Sequence, residues 1–151
     1  MSSFTNRQGG FLISKVKQIG GRVFNAILSK QGIEAFNGEQ GKILYVLWNT
    51  DAGLSMTKIS ELTGLAKTTL SAMIKHMKDE GLVDLRQSED DRRILLVQLT
   101  DKARMLKGEY DSVSEEVGSI YYRGFSEDEI ADFENCLQRI LHNLEEAENN
   151  L

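Results

Sequence analysis

Apolar positions recur at helical spacing over most of the chain. Phe11, Leu12, Val16, Ile19, Val23, Phe24, Ile27 and Leu28 advance in steps of three and four, which predicts an amphipathic helix over residues 11 to 28. Gly20-Gly21 weakens that helix by about 1 kcal/mol per glycine, which makes a bend or a close helix contact plausible there. A second helix begins near Asn37-Gly38-Glu39-Gln40, with Asn37 as N-cap and Gln40 three residues on as its capping-box partner. It carries Ile43, Leu44, Leu47 and Trp48 and ends at Asp51-Ala52-Gly53. Ser55 caps a short helix from Met56 to Thr63, with Ile59 and Leu62 turned inward, and Gly64 breaks it. A further helix runs from Lys67 to about Glu80, with Leu70, Met73, Ile74 and Met77 on one face and Gly81 as its stop. Two helices joined by a short turn containing Gly form the helix-turn-helix pattern.

The period then changes. Leu82, Val83 and Leu85 precede a polar run, Gln87-Ser88-Glu89-Asp90-Asp91-Arg92-Arg93, and Ile94 to Leu99 is rich in aliphatic residues. This predicts two strands joined by a long charged loop, and a helix-turn-helix followed by a hairpin is the plan of a winged helix. Thr100 with Asp101 caps a helix reaching about Tyr121, with Ala103, Leu106, Tyr110, Val113, Val117 and Ile120 as its apolar positions. Gly124-Phe125 breaks it, and Ser126 with Glu129 forms a capping box for a last helix bearing Ile130, Phe133, Leu137, Ile140, Leu141 and Leu144. The fold class read from this order is mainly α with a small β-hairpin wing: a winged helix-turn-helix over residues 37–100, flanked by dimerisation helices at 9–30 and 101–148.

Composition narrows the function. The chain has 151 residues, 40% of them hydrophobic and 27% charged, as in an ordinary globular protein of one domain. No Pro interrupts the helical pattern. The single Cys, Cys136, cannot form an internal disulfide, which points to a reducing compartment and, with no apolar run of bilayer length and no signal-peptide pattern at the start, to a cytoplasmic protein without a membrane partner. His76 and His142 have no Cys or His at ligand spacing, so no metal is expected, and no cofactor motif is present. Neither a Gly-rich phosphate loop nor a nucleophile–base pair marks an enzyme. The net charge of −5 argues at first against nucleic acid. Its distribution removes that objection: residues 1–53 carry +3, residues 54–104 carry +1 and residues 105–151 carry −9.

The helix from Lys67 carries Thr68, Thr69, Ser71, Ala72, Lys75 and Lys78 on or near the face opposite its apolar stripe. Short, hydroxylated and basic side chains suit a helix that approaches base edges and phosphates, although they also suit a solvated surface. In the loop, Arg92 and Arg93 follow three acids. Arg93 is the residue to enter a narrow minor groove, with Asp91 holding its guanidinium by a charge-assisted bond.

Asp91-Arg92-Arg93 followed by Leu99-Thr100 resembles the D-x-R … L-T wing motif of MarR-type (multiple antibiotic resistance regulator) transcription factors. Ile59-Ser60-Glu61, Gly64-Leu65, Thr68-Thr69-Leu70 and Glu80-Gly81-Leu82-Val83 are similar to that family's helix-turn-helix run, and the likeness extends over about residues 10 to 148. The resemblance implies a homodimeric repressor on a pseudo-palindromic double-stranded operator. It makes Thr68, Thr69, Ser71 and Lys75 groove contacts, Arg93 the minor-groove residue, and Ser55, Thr57, Lys58 and Lys67 phosphate contacts. Ala66 departs from the family, standing where a polar helix cap is common, and so does Ala72, where many members carry Arg or another polar residue. The resemblance further implies a small aromatic or amphipathic effector, for which Arg22, Tyr45 and Trp48 are candidates; Trp48 also fits a core position.

The terminal helices gain by packing on a second copy, which makes Phe11, Ile19, Val117, Ile120, Phe133, Leu137 and Leu141 the interface candidates. Two other readings compete: a winged-helix protein-interaction module without DNA binding, and a redox-sensing regulator using Cys136.

Overall fold

The computed structural model describes residues 7–151. Its elements in chain order are α1 (Gly9–Lys30), α2 (Gly38–Trp48), β1 (Leu54–Ser55), α3 (Met56–Thr63), α4 (Lys67–Asp79), β2 (Val83–Gln87), β3 (Leu95–Leu99), α5 (Asp101–Arg104), α6 (Lys107–Tyr121) and α7 (Glu127–Asn149). The chain divides into two compact units, one running through Val117 and the other spanning Gly118–Leu151.

The caps explain where the helices start. Asn37 accepts from the Gln40 amide at 2.9 Å while the Gln40 side chain accepts from the Asn37 amide at 3.0 Å, the reciprocal pair expected. Ser55 Oγ takes the Lys58 amide, and Thr100 Oγ1 takes the Ala103 amide. In the first unit, Ile43, Leu44 and Leu47 of α2, Ile59 of α3, Leu70 and Met77 of α4, and Val83 and Val97 of the sheet are buried in one core. Each buried aliphatic side chain of this size contributes about 1.5–3 kcal/mol, so α2 and α4 are held mainly by packing. Beside this core, Tyr110 of α6 stacks with Phe24, Phe36, Tyr45 and Trp48, at centroid distances of 5.9, 6.1, 6.1 and 5.1 Å.

The structure departs from the sequence reading in four places. Leu62 is 52% exposed rather than inward. The helix expected from 101 to 121 is interrupted at Met105-Leu106 and forms α5 and α6. The hairpin gains a third strand, β1, which pairs with β3 (Leu54 opposite Val97, Ser55 opposite Leu96) in a sheet ordered β1-β3-β2. Finally, α1 runs unbroken through Gly20-Gly21, and nothing in the described chain lies within 4 Å of a Cβ at either position.

Gly53 holds the entry to β1. Its φ is +78°, and an added Cβ would lie 2.8 Å from the Val97 carbonyl oxygen. Gly64 has a similar φ of +77° but open space around it. Gly64→Ala should therefore cost about 1 kcal/mol from the left-handed backbone alone, and Gly53→Ala about 2 kcal/mol because the clash is added. Urea midpoints of the two variants check this; equal losses would remove the steric part of the argument.

In the second unit Ser126 and Glu129 form the expected capping box for α7. The Tyr122 hydroxyl donates to Glu134 Oε2 at 2.5 Å, and this bond pushes its pKa up to about 12. A pKa raised in the folded state from 10.0 means the bond's contribution is present below about pH 10 and lost toward pH 12. α7 itself buries no residue.

Candidate nucleic-acid interface

The turn between α3 and α4 is fixed by hydroxyls on either side of Gly64. Ser60 Oγ donates to the Leu65 carbonyl at 2.6 Å, and Thr63 Oγ1 donates to the Ile59 carbonyl at 2.7 Å while accepting from the Leu65 amide at 3.2 Å. These bonds set the angle at which α4 leaves α3. Sequence reasoning did not single out Ser60 or Thr63, although hydroxyls flanking a turn glycine are a readable signal.

With Leu70, Ile74 and Met77 buried, α4 turns Thr68, Thr69, Ser71, Ala72, Lys75 and Lys78 to solvent. The expected outward face is therefore continuous. Ala66 occupies the N-cap position in an extended conformation and provides no side-chain cap. The first in-helix acceptor is used by Leu70, whose amide donates to the Ala66 carbonyl. The amides of Lys67, Thr68 and Thr69 thus end α4 as uncapped donors, with the positive end of the helix dipole behind them. α3 differs, because Ser55 Oγ already serves the Lys58 amide. Thr57 and Lys58 are exposed on the first turn of α3, with Lys58 Nζ 3.8 Å from Glu61, and Lys67 is exposed at the start of α4.

The wing turns at Ser88–Ile94, closed by the Ser88 amide on the Ile94 carbonyl at 2.9 Å. Asp91 Oδ1 accepts both the Arg93 amide and Arg93 Nε at 3.0 Å, and Asp91 Oδ2 accepts Arg93 Nη2 at 2.9 Å. The guanidinium is gripped by a bidentate pair, yet the Arg93 side chain stays 90% exposed. The same bonds lower the Asp91 pKa below its ordinary value, so the carboxylate is charged throughout the neutral range. Arg92 is exposed beside it. Arg86 of β2, which the sequence did not flag, donates from Nη2 to the Ala52 carbonyl at 2.9 Å and ties the wing to the loop before β1.

The remaining candidates fall elsewhere. Tyr45 and Trp48 meet on Tyr110, and Trp48 Nε1 donates to the Ala103 carbonyl at 3.0 Å, as a core-packed Trp does; Arg22 is exposed on α1. Phe11 and Ile19 of α1 are exposed, as are Ile120 of α6 and Phe133 and Leu141 of α7, while Val117 and Leu137 are half-buried. Cys136 is exposed on α7. Among the described residues no cluster of His, Cys, Asp or Glu is arranged to hold a metal, and no helix is long and apolar enough to cross a membrane.

An exposed, small-residue α4 beside a hairpin that presents a held arginine defines a winged helix-turn-helix of the DNA-binding class. The comparisons carry this further. The model of the MarR family matches residues 36–94. The regulator MgrA of Staphylococcus aureus is 27% identical over 105 residues, covering 70% of this chain and 69% of MgrA. A mutant MarR of Escherichia coli complexed with operator DNA superposes with a TM-score of 0.78 at 22% identity, covering 93% of this chain and 99% of that one. CouR of Rhodococcus jostii, bound to p-coumaroyl-CoA, gives 0.77 at 20% identity over 92% and 95%. The chain is thus similar to the MarR family of DNA-binding transcriptional regulators over residues 36–94, and it shares the fold of that family's solved members.

Proposed function

We propose that the protein is a homodimeric repressor that binds a pseudo-palindromic operator and is released by a small-molecule effector. One observation carries the reading: Arg93 is fully presented to solvent yet immobilised by Asp91 at the wing tip, next to an α4 whose outward face is short and polar. A guanidinium held in place loses less freedom on entering a groove. The uncapped amides of α4, with Ser55, Thr57, Lys58 and Lys67, supply phosphate contacts, and Thr68, Thr69, Ser71 and Lys75 supply groove contacts. The operator complex of the E. coli MarR supports this assignment.

The dimer reading rests on the apolar faces that the chain leaves open on α1 and α7. It places the dimerisation helices at 9–30 and 101–148. Release requires an effector that favours a dimer whose α4 helices no longer match half-sites about 34 Å apart. CouR, which holds p-coumaroyl-CoA, supports a small aromatic effector. The aromatic group of Tyr45, Trp48 and Tyr110 offers stacking for one, with Arg22 as the candidate cation.

The test is affinity for the DNA upstream of its own gene against random DNA of equal length, across a salt series. Residues 54–104, which hold α3, α4 and the wing, carry only +1, so the non-specific part should be weak and the specific ratio large. Equal affinity for both DNAs would sink the reading and favour a winged-helix module that binds protein instead.

A further inference from the structure

The first two turns of α4 carry none of the side chains that read adenine or cytosine through hydrogen bonds, and no arginine for guanine. Lys67-Thr68-Thr69-Leu70-Ser71-Ala72-Met73-Ile74 contains no Arg, Asn, Gln, Asp or Glu. Leu70, Ile74 and Met77 are buried in the core. At about 3.6 residues per turn, the ridge farthest from that core therefore runs through Thr68, Ala72 and Lys75. Ser71 lies on one side of the ridge and Thr69 on the other, and all five residues are exposed. Asp79 prolongs the ridge only at the last residue of the helix, where its charge would meet phosphate. Base reading thus falls to the N-terminal part of α4, the part that a recognition helix brings to base edges.

Ala72 stands at the centre of that part with a methyl group and nothing else. Opposite a methyl, the major-groove edge of adenine, guanine or cytosine loses water from its donors and acceptors and gains no replacement. Thymine alone presents an apolar group in the major groove, its C5-methyl. The hydroxyls of Thr69 and Ser71 donate to or accept from any base, so they discriminate little. Lys75, about one turn further on, reaches a guanine edge or a phosphate. We propose that Ala72 reads a thymine C5-methyl in each operator half-site, with Thr68 one turn before it on the same ridge. Specificity at the centre of α4 then comes from apolar contact and shape instead of paired hydrogen bonds. This rests on the DNA reading above and deepens it, because it names the base that the second turn of α4 requires.

Selection of the full chain on a pool of random duplexes yields its preferred site. Each thymine of that site is then replaced in turn by deoxyuridine, which keeps the base pair and removes only the C5-methyl. Anisotropy of the labelled duplexes reads the affinity. One thymine position per half-site should lose about fourfold, and about fifteenfold with both half-sites replaced, as one or two methyls left uncovered imply. Ala72→Gly removes the other partner of the contact. In that variant the thymine and deoxyuridine duplexes should bind alike at this position, which closes the cycle. Circular dichroism checks its helix content, and the deoxyuridine scan on the parent chain decides alone if the variant folds poorly. A selected site that tolerates deoxyuridine at every position overturns the proposal and leaves the DNA reading standing. So does a deoxyuridine loss that persists in a folded Ala72→Gly variant, since the methyl then acts through the duplex itself. A pool with no enriched sequence overturns the DNA reading, and the proposal with it.

Discussion

Replacing Arg93 by alanine should weaken operator binding by about 30- to 100-fold while leaving stability and oligomeric state unchanged. A good groove contact contributes about 1–3 kcal/mol, and the proposed two-fold dimer would present the wing twice, so even a modest loss per half-site is doubled. The folded chain loses little, because among the described residues the guanidinium pairs with Asp91 alone and the pair is exposed. Anisotropy of a labelled operator measures the loss, and sedimentation of the same sample checks the dimer. An affinity within twofold of the parent protein would remove Arg93 from the interface.

Asp91→Asn separates holding from charge. It removes a negative group from the wing proposed to face DNA, which should raise affinity for any DNA. It also loosens Arg93, whose Nε and Nη2 both rest on that carboxylate. The two effects act on different quantities, so the ratio of operator to random affinity should fall even where total binding does not.

What could be read from the sequence follows the range of the interactions. The capping boxes at Asn37–Gln40 and Ser126–Glu129 lie within four residues and were legible as spacing. So was the Asp91–Arg93 pair, two residues apart. β1 was not, because a strand of two residues has no period, and it exists only through its pairing with β3 more than forty positions on. Leu62 fits the helical stripe of α3 by spacing, and only the tertiary surroundings leave it exposed. The break after α5 had no Gly or Pro to announce it. The Gln40–Glu80 bond joins residues forty apart, so it had no local signature at all.

The site divides in the same way. The outward face of α4 follows from a stripe four residues deep, and its six candidates are all exposed. The role of Arg86 depends on a carbonyl thirty-four residues earlier, which no window contains. The acid excess that seemed to oppose nucleic acid lies in residues 105–151, outside the winged helix.

Leu141→Glu should convert the proposed dimer into a monomer of 17.0 kDa. Ile130, Phe133, Leu137, Ile140, Leu141 and Leu144 recur at helical spacing along α7, yet none is buried, and Leu141 is 56% exposed. α1 repeats the situation with Phe11, Leu12, Ile13, Val16 and Ile19 all exposed. Covering side chains of this size is worth about 1.5–3 kcal/mol each, and a stripe of them is a large driving force for association. In a two-fold interface the glutamate enters twice, each time as an unpaired buried charge that costs several kcal/mol. Arg139→Glu, on the opposite face of α7, changes charge without touching the stripe and should leave the dimer intact. Light scattering at micromolar concentration reads the mass. The monomer should also lose at least a hundredfold in operator affinity, because a single winged helix has no linked second half-site. A parent protein that already runs as a monomer, or a Leu141→Glu variant that stays dimeric, would place the interface elsewhere than α7.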